Sequence, residues 1–338
     1  MVHIKNISKS FNGQPVLKEI DMKINLGEFV SILGPSGCGK TTLLKIIAGL
    51  EEQDEGSIFI NEGCVDQVAA KNRGAVIVFQ DYGLFPHMTV KQNIEFGLLA
   101  KKVPKKEREQ KSASMLKIMQ IPDKGNHYPG ELSGGQKQRV ALARACVLEP
   151  NVLLLDESFS SLDTALKEDM REFTSNLHRK LGITTVLVTH DKEEAFMLSN
   201  RVAVFLEGRL QQFDTPSNIY HRPNTIAVAD FIGEANYIKG LVSHGVFSCL
   251  LGEFPAGEIA DGKACLMLRY DQLKVVESGG ISTLVLDKKY KGKTTTYTVQ
   301  CQERPDLVLK VNTSNDDIEM GDIIQLQARK GTGVVFKT

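Results

Sequence analysis

The run Gly34-Pro35-Ser36-Gly37-Cys38-Gly39-Lys40-Thr41 constrains this chain more than any other stretch of it. Gly34, Gly39, Lys40 and Thr41 stand at the G-x-x-x-x-G-K-[ST] spacing. The preceding Phe29-Val30-Ser31-Ile32-Leu33 reads as a buried strand, and the following Thr42-Leu43-Leu44-Lys45-Ile46-Ile47-Ala48 reads as a helix. A strand that passes through a glycine loop into a helix belongs to an α/β architecture with a parallel sheet. Glycines let the loop turn its N–H groups toward phosphate oxygens, and the helix start adds positive potential. Pro35, Ser36, Gly37, Cys38 and Thr42 complete this phosphate-facing segment. Within it, Lys40 is placed to reach β- and γ-phosphates and the Thr41 hydroxyl to ligate magnesium.

Three further segments repeat the design of an apolar run that stops at polar residues. Asn151-Val152-Leu153-Leu154-Leu155-Asp156-Glu157 suits a central parallel strand buried on both faces and closed by two carboxylates. Val186-Leu187-Val188-Thr189-His190-Asp191 is a second such strand, and Val76-Ile77-Val78-Phe79-Gln80-Asp81 holds another apolar strand, ending at residue 79. In open α/β sheets ligands bind at the carboxyl ends of the strands, so Gln80, Asp156, Glu157 and His190 fall on one working edge. Leu132-Ser133-Gly134-Gly135-Gln136 opens a long helical run, Lys137 to Ala145. A Ser-Gly-Gly turn there makes a second helix start able to bind an anion.

This set of motifs, in this order, resembles the ATP-binding-cassette ATPases. The resemblance implies a doubly wound α/β P-loop cassette with an α-helical subdomain near residues 90–150. It implies that ATP and Mg2+ are the ligands, with Thr41, Gln80 and Asp156 as the metal contacts. Glu157 then resembles the residue that polarises the attacking water, and His190 the switch histidine at the γ-phosphate. Phe11 sits where the family places an aromatic ring against adenine. Ser133, Gly134, Gly135 and Gln136 match the signature motif, which meets ATP across a head-to-tail homodimer. Ser160-Ser161-Leu162-Asp163 resembles the loop that crosses that interface, with Asp163 its acid. Two positions depart from the family pattern: Ser158 stands where proline is common, and Ser161 where alanine is usual. Neither change removes a reacting group.

Composition narrows the class further. Lys+Arg and Asp+Glu both number 41, so the net charge is zero and nothing points to nucleic acid as a partner. No apolar run approaches the ~20 residues that span a bilayer. The start Met1-Val2-His3-Ile4-Lys5 reads as a strand and not as a signal peptide. The basic stretch Lys101 to Lys106 reads as the solvated start of a helix. Six scattered cysteines without metal-ligand spacing point to reduced thiols. Cys38, beside a helix start and a lysine, is expected to have thiolate character.

The pattern changes near residue 235. Beyond it come short alternating strands such as Ala264 to Arg269, Thr294 to Val299, Leu307 to Val311 and Ile323 to Ala328. With Gly, Asp and Asn between them, they predict a small all-β, OB-like barrel over 236–338 after a nucleotide-binding domain over 1–235. Arg269-Tyr270-Asp271-Gln272-Leu273 resembles the Arg-Pro-Glu-x-Leu element of the accessory (TOBE) barrel of importer ATPases, with Tyr270 and Asp271 replacing Pro and Glu. The resemblance therefore implies the ATPase subunit of a binding-protein-dependent importer. Such a subunit lies peripherally on the cytoplasmic face of the inner membrane, beneath two permease subunits that engage an extracytoplasmic solute-binding protein. The Phe231-Ile232-Gly233-Glu234 junction and overall layout look most like ferric-ion importers. Polyamine, sulfate and sugar importers are the alternatives. A soluble non-transport cassette ATPase and a non-catalytic regulatory module fit the motifs less well.

Overall fold

A computed structural model describes residues 1–159 and 163–337. Strands β1 (Val2–Phe11) and β2 (Gln14–Ile24) form a hairpin whose turn uses Asn12 and Gly13, both at positive φ. Strand β3 (Phe29–Leu33) follows, and the glycine loop leads into helix α1 (Lys40–Ala48). Strands β4 (Glu55–Ile60) and β5 (Gly63–Cys64) complete a four-stranded sheet of order β2-β1-β4-β5. After β6 (Ala75–Val78) come three helices, α2 (Val90–Ala100), α3 (Lys105–Ile118) and α4 (Gly134–Cys146). The remaining elements alternate: β7 (Val152–Asp156), α5 (Thr164–Leu181), β8 (Thr184–Thr189), α6 (Lys192–Leu198), β9 (Arg201–Leu206) and β10 (Arg209–Asp214).

The second sheet has six strands in the order β10-β9-β3-β8-β7-β6. All neighbours pair in parallel except β9 with β10. Every residue of β3, β7 and β8 is buried, which explains their unbroken apolar runs. Alternate side chains feed two cores. Val152 and Leu154 join the core beneath α1 and the four-stranded sheet, while Leu153 and Leu155 join the core beneath the helices. Burying one such side chain contributes roughly 1.5–3 kcal/mol. Helix ends are set locally. Thr89 caps α2 with a reciprocal bond to Gln92, and Asp163 caps α5, whose last turn carries His178, Arg179 and Lys180 before Gly182.

Beyond β10 lie α7 (Pro216–His221) and α8 (Ile226–Ile232). They are followed by β11 (Ala235–Ser243), β12 (Val246–Cys249), β13 (Gly252–Pro255), β14 (Gly262–Arg269), β15 (Leu273–Val276), β16 (Ile281–Tyr290), β17 (Thr295–Cys301), β18 (Val308–Thr313), β19 (Ile323–Ala328) and β20 (Val334–Lys337). These strands form two five-stranded antiparallel sheets, β13-β12-β11-β14-β20 and β15-β19-β16-β17-β18. One core, with Ile238, Phe247, Leu266, Tyr297, Val311 and Leu326, is shared by both.

The chain divides into compact units Met1–Pro216 and Ser217–Thr338. That division precedes the change of strand pattern near 235, and Arg269 supplies the reason. Its guanidinium is fully buried and donates to the carbonyls of Ala229 at 2.8 Å, Gly233 at 2.5 Å and Tyr220 at 3.3 Å. It thereby ties the two short helices to the strands that follow. Alternation along strands cannot reveal such a tie.

Candidate active site

The parallel strands bring their carboxyl ends into register, with Leu33 opposite Thr189 and Asp156 opposite Val188. The loop after β3, the acids after β7 and His190 after β8 therefore share one edge. The glycine loop encloses a cavity of about 230 Å³ lined by Val16, Ser36, Gly37, Gly39, Lys40, Thr41, Thr42 and Glu157. A larger apolar cavity of about 540 Å³ opens at residues preceding β7 and β8, and none of the motif residues lines it.

Two glycines of the loop are required by its shape. Gly39 has φ 99°, and a Cβ there would lie 2.7 Å from Leu17 Cδ2 and 2.8 Å from the Val16 carbonyl oxygen. A Cβ on Gly34 would lie 2.3 Å from the Phe205 carbonyl oxygen. Pro35, Ser36 and Gly37 are exposed at the loop tip. Lys40, only 4 % exposed, curls back along the loop and donates to the Gly34 and Pro35 carbonyls at 2.9 and 2.8 Å. Its ammonium is thus fixed by the loop it serves.

Thr41 Oγ1 donates to Asp156 Oδ1 at 3.0 Å. Burial pushes the Asp156 carboxyl above its ordinary range, the Thr41 hydrogen bond opposes this, and the neighbouring Glu157 adds to it. A hydroxyl and a carboxylate in contact form a hard oxygen donor pair suited to Mg2+. Glu157 adopts φ 45°, an uncommon backbone for a non-glycine residue, while its N–H donates to the Val188 carbonyl at 2.9 Å. Glu157 lines the cavity, and its Oε1 lies 3.4 Å from His190 Nδ1. His190 itself is about half exposed. Ser158 is fully buried, and its hydroxyl has no partner among the described residues.

Other expected site residues are not among those lining this cavity. Phe11, at the end of β1, is 42 % exposed with the Lys9 ammonium 5.1 Å from its ring centroid, so it is not a core residue. Gln80 is exposed in the turn after β6. Ser133 caps α4: its Oγ accepts from the Gln136 N–H at 3.3 Å, and the Gln136 side chain accepts from the Ser133 N–H at 3.0 Å. Gly134 starts the helix, and a Cβ on Gly135 would lie 2.9 Å from Leu166 Cδ1. Asp163 accepts from the Leu166 N–H at 3.0 Å. Ser160, Ser161 and Leu162 lie outside the described residues. The residues lining the glycine-loop cavity do not include 133–136.

One expectation is corrected. Cys38 is buried, and its burial pushes the thiol above its ordinary range against the pull of Lys40 and its N–H. A helix start lowers a thiol's pKa only when the sulfur stays solvated enough to ionise. Two residues around His190 went unremarked in the sequence. Glu194 is buried, accepts from Thr189 Oγ1 at 2.6 Å and is pushed above its ordinary range by that burial. Arg171 is buried against the same loop. Both occupy helical positions that, in one dimension, look like solvated charges.

A phosphate loop, a hydroxyl–carboxylate pair and a glutamate–histidine pair on one sheet edge define a nucleotide triphosphatase of the P-loop class. Comparison narrows the class. The family described as ABC transporter matches residues 17–160. The spermidine/putrescine import ATP-binding protein PotA of Vibrio cholerae serotype O1 is 39% identical over 335 residues, 94% of this chain and 88% of that protein. Its counterpart in Aliivibrio fischeri is 41% identical over 309 residues, 87% and 83% of the two chains. Among solved structures, the dimeric post-hydrolysis ATP-binding cassette MJ0796 with ADP and phosphate is 33% identical, with TM-score 0.57, covering 64% of this chain and 99% of that one. The chain belongs to the ABC transporter ATP-binding family and is an ATP-hydrolysing importer subunit.

The same relatives do not support the expectation of a ferric-ion cargo; they are named for spermidine/putrescine import, which fits the polyamine alternative better. The 231–234 junction on which that expectation rested belongs to the packing of α8.

Proposed function

We propose that this chain powers a polyamine importer, with spermidine and putrescine as the cargo class. The observation that carries this reading is similarity over 94% of the chain, strand-rich C-terminal unit included, to a spermidine/putrescine import protein. The subunit works as a head-to-tail homodimer, peripheral to the inner membrane and beneath two permease subunits served by an extracytoplasmic binding protein. Among the described residues no helix is long and apolar enough to cross a membrane, in keeping with a peripheral place.

In this reading the loop N–H groups and Lys40 hold the β- and γ-phosphates, and Phe11 stacks on adenine. Thr41 and Asp156, with Gln80, hold Mg2+, which when bound neutralises phosphate charge. Glu157 orients and polarises the attacking water, and His190 contacts the γ-phosphate. Ser133, Gly134, Gly135 and Gln136 of the partner subunit close over the same nucleotide, with Asp163 at the crossing loop. The Ser133 hydroxyl accepts from its own helix, so its proton is left to donate to a phosphate oxygen. A groove of about 390 Å³ lined by Phe79, Gly83, Phe85, Phe96, Gly97 and Arg144 receives the permease. The C-terminal unit serves as an accessory domain that supports the dimer.

Uptake tests the cargo. A bacterial strain lacking its own polyamine ATP-binding subunit is supplied with this chain and its genomic permease partners, and labelled spermidine and ferric ion uptake are compared. Restored spermidine uptake supports the reading; restored ferric ion uptake alone defeats it.

A further inference from the structure

Both residues that flank His190 end on one buried cation. On the near side Thr189, the last residue of β8, donates its hydroxyl to Glu194 Oε2 at 2.6 Å and accepts from the Asp191 N–H at 3.0 Å. On the far side Asp191 caps α6, its Oδ1 accepting from the N–H groups of Glu193 at 2.9 Å and Glu194 at 3.2 Å. Its second oxygen, Oδ2, accepts from Arg171 Nη2 at 2.8 Å. Arg171 Nη1 also donates to Glu193 at 3.2 Å, and Nη2 lies 3.8 Å from Glu194 Oε1. Arg171 comes from the middle of α5, a different helix, and is only 5 % exposed; Glu194 is 2 % exposed.

A charge so deeply placed persists only where its partners compensate its desolvation. The guanidinium is planar, so its fork fixes the direction of the carboxylates it meets as well as their distance. Asp191 is held directly and Thr189 through Glu194, leaving the intervening His190 little freedom to swing its backbone. The imidazole nevertheless stays half exposed and 3.4 Å from Glu157. The backbone is fixed while the reactive ring is left accessible.

We propose that Arg171 is a positioning residue for His190, setting through Asp191 and Glu194 the loop that presents the imidazole to the γ-phosphate. The proposal rests on the reading of His190 as the γ-phosphate contact. A purely structural clamp between α5 and α6 would use the same bonds but would not share its kinetic effect with His190.

A double-mutant cycle on the full chain separates the two. Arg171→Met, Arg171→Lys, His190→Ala and the Arg171→Met/His190→Ala double variant are compared for kcat and KM in ATP hydrolysis. A fluorescent ATP analogue reports affinity and a thermal melt reports folding. Arg171→Met is expected to lower kcat about 10–100-fold, the scale of a misplaced catalytic group, with analogue affinity nearly unchanged. Arg171→Lys, which keeps the charge but not the fork, is expected to recover part of that loss. The double variant should be no slower than His190→Ala alone, because residues acting as a unit are not additive. Wild-type kcat in Arg171→Met beside an impaired His190→Ala overturns the proposal, as does full additivity in the double variant. Unimpaired His190→Ala removes the underlying reading and the proposal with it. If Arg171→Met does not fold, Glu194→Gln replaces it in the same cycle, with the same two outcomes deciding.

Discussion

Two helices in this protein begin at glycine-rich turns, and they treat their first N–H groups in opposite ways. Helix α4 is capped by its own sequence: Ser133 and Gln136 bond reciprocally to each other's N–H groups, which satisfies two donors at its start. Helix α1 has Gly39 at its cap in the left-handed region, and no side chain caps it. Its positive end faces a cavity whose other wall is Glu157. A helix start that a protein caps for itself contributes stability. The start of α1, where glycine offers no side-chain cap, is the candidate phosphate cradle. The two motifs look alike as strings, and the placement of one serine separates them.

Four substitutions sharpen or break that contrast. Glu157→Gln should have the largest effect, because it disables the chemistry while leaving the cradle intact. Turnover is expected to fall about 10²–10⁴-fold, as for loss of a general base, with ATP still bound. Near wild-type hydrolysis would remove Glu157 from catalysis.

Lys40→Ala attacks the cradle itself. A hydrogen bond to a charged group contributes about 1.5–3 kcal/mol, so affinity for a fluorescent ATP analogue should fall roughly 10–150-fold. Unchanged affinity would mean that Lys40 serves only its own loop carbonyls.

Gly39→Ala tests whether the bare cap depends on its backbone. The added methyl meets Val16 and Leu17 at φ 99°, and such strain costs about 1–3 kcal/mol. A lowered melting midpoint together with weaker analogue binding is expected. A variant that melts and binds like the parent would show that the loop tolerates a Cβ.

Ser133→Ala, the smallest change, should affect stability alone. Losing the cap costs about 1 kcal/mol, which lowers the midpoint by roughly 2–4 °C in a domain this size. Analogue binding by the isolated subunit should be unaffected. A midpoint that stays put would show that α4 does not depend on its own cap, and the contrast between the two helices would collapse.

The candidate site was legible where chemistry demands residue type and spacing together. Gly34, Gly39, Lys40 and Thr41 could be read because each place in a phosphate loop admits few side chains. Asp156, Glu157 and His190 could be read because each follows a strand so apolar that a polar end stands out. Arg171 and Glu194 could not be read this way. On helical segments rich in charge, nothing in one dimension separates a solvated arginine from one that is 5 % exposed. Cys38 shows the same limit in reverse, since adjacency to a lysine suggested ionisation and burial opposes it. The boundary between units moved for a related reason: the bonds of Arg269 to the carbonyls of Tyr220, Ala229 and Gly233 span 36 to 49 residues.

The sequence by itself determined the glycine loop between strand and helix, the apolar runs of the parallel strands, the acids and histidine at their ends, and a strand-rich C-terminal region. Those features follow from short-range rules: backbone freedom at glycine, apolar runs, and polar residues at strand termini. Only the tertiary structure decided which charges are buried together and that the Cys38 thiol is buried. Those outcomes depend on desolvation and on partners distant in the chain, and desolvation is a property of the packed molecule.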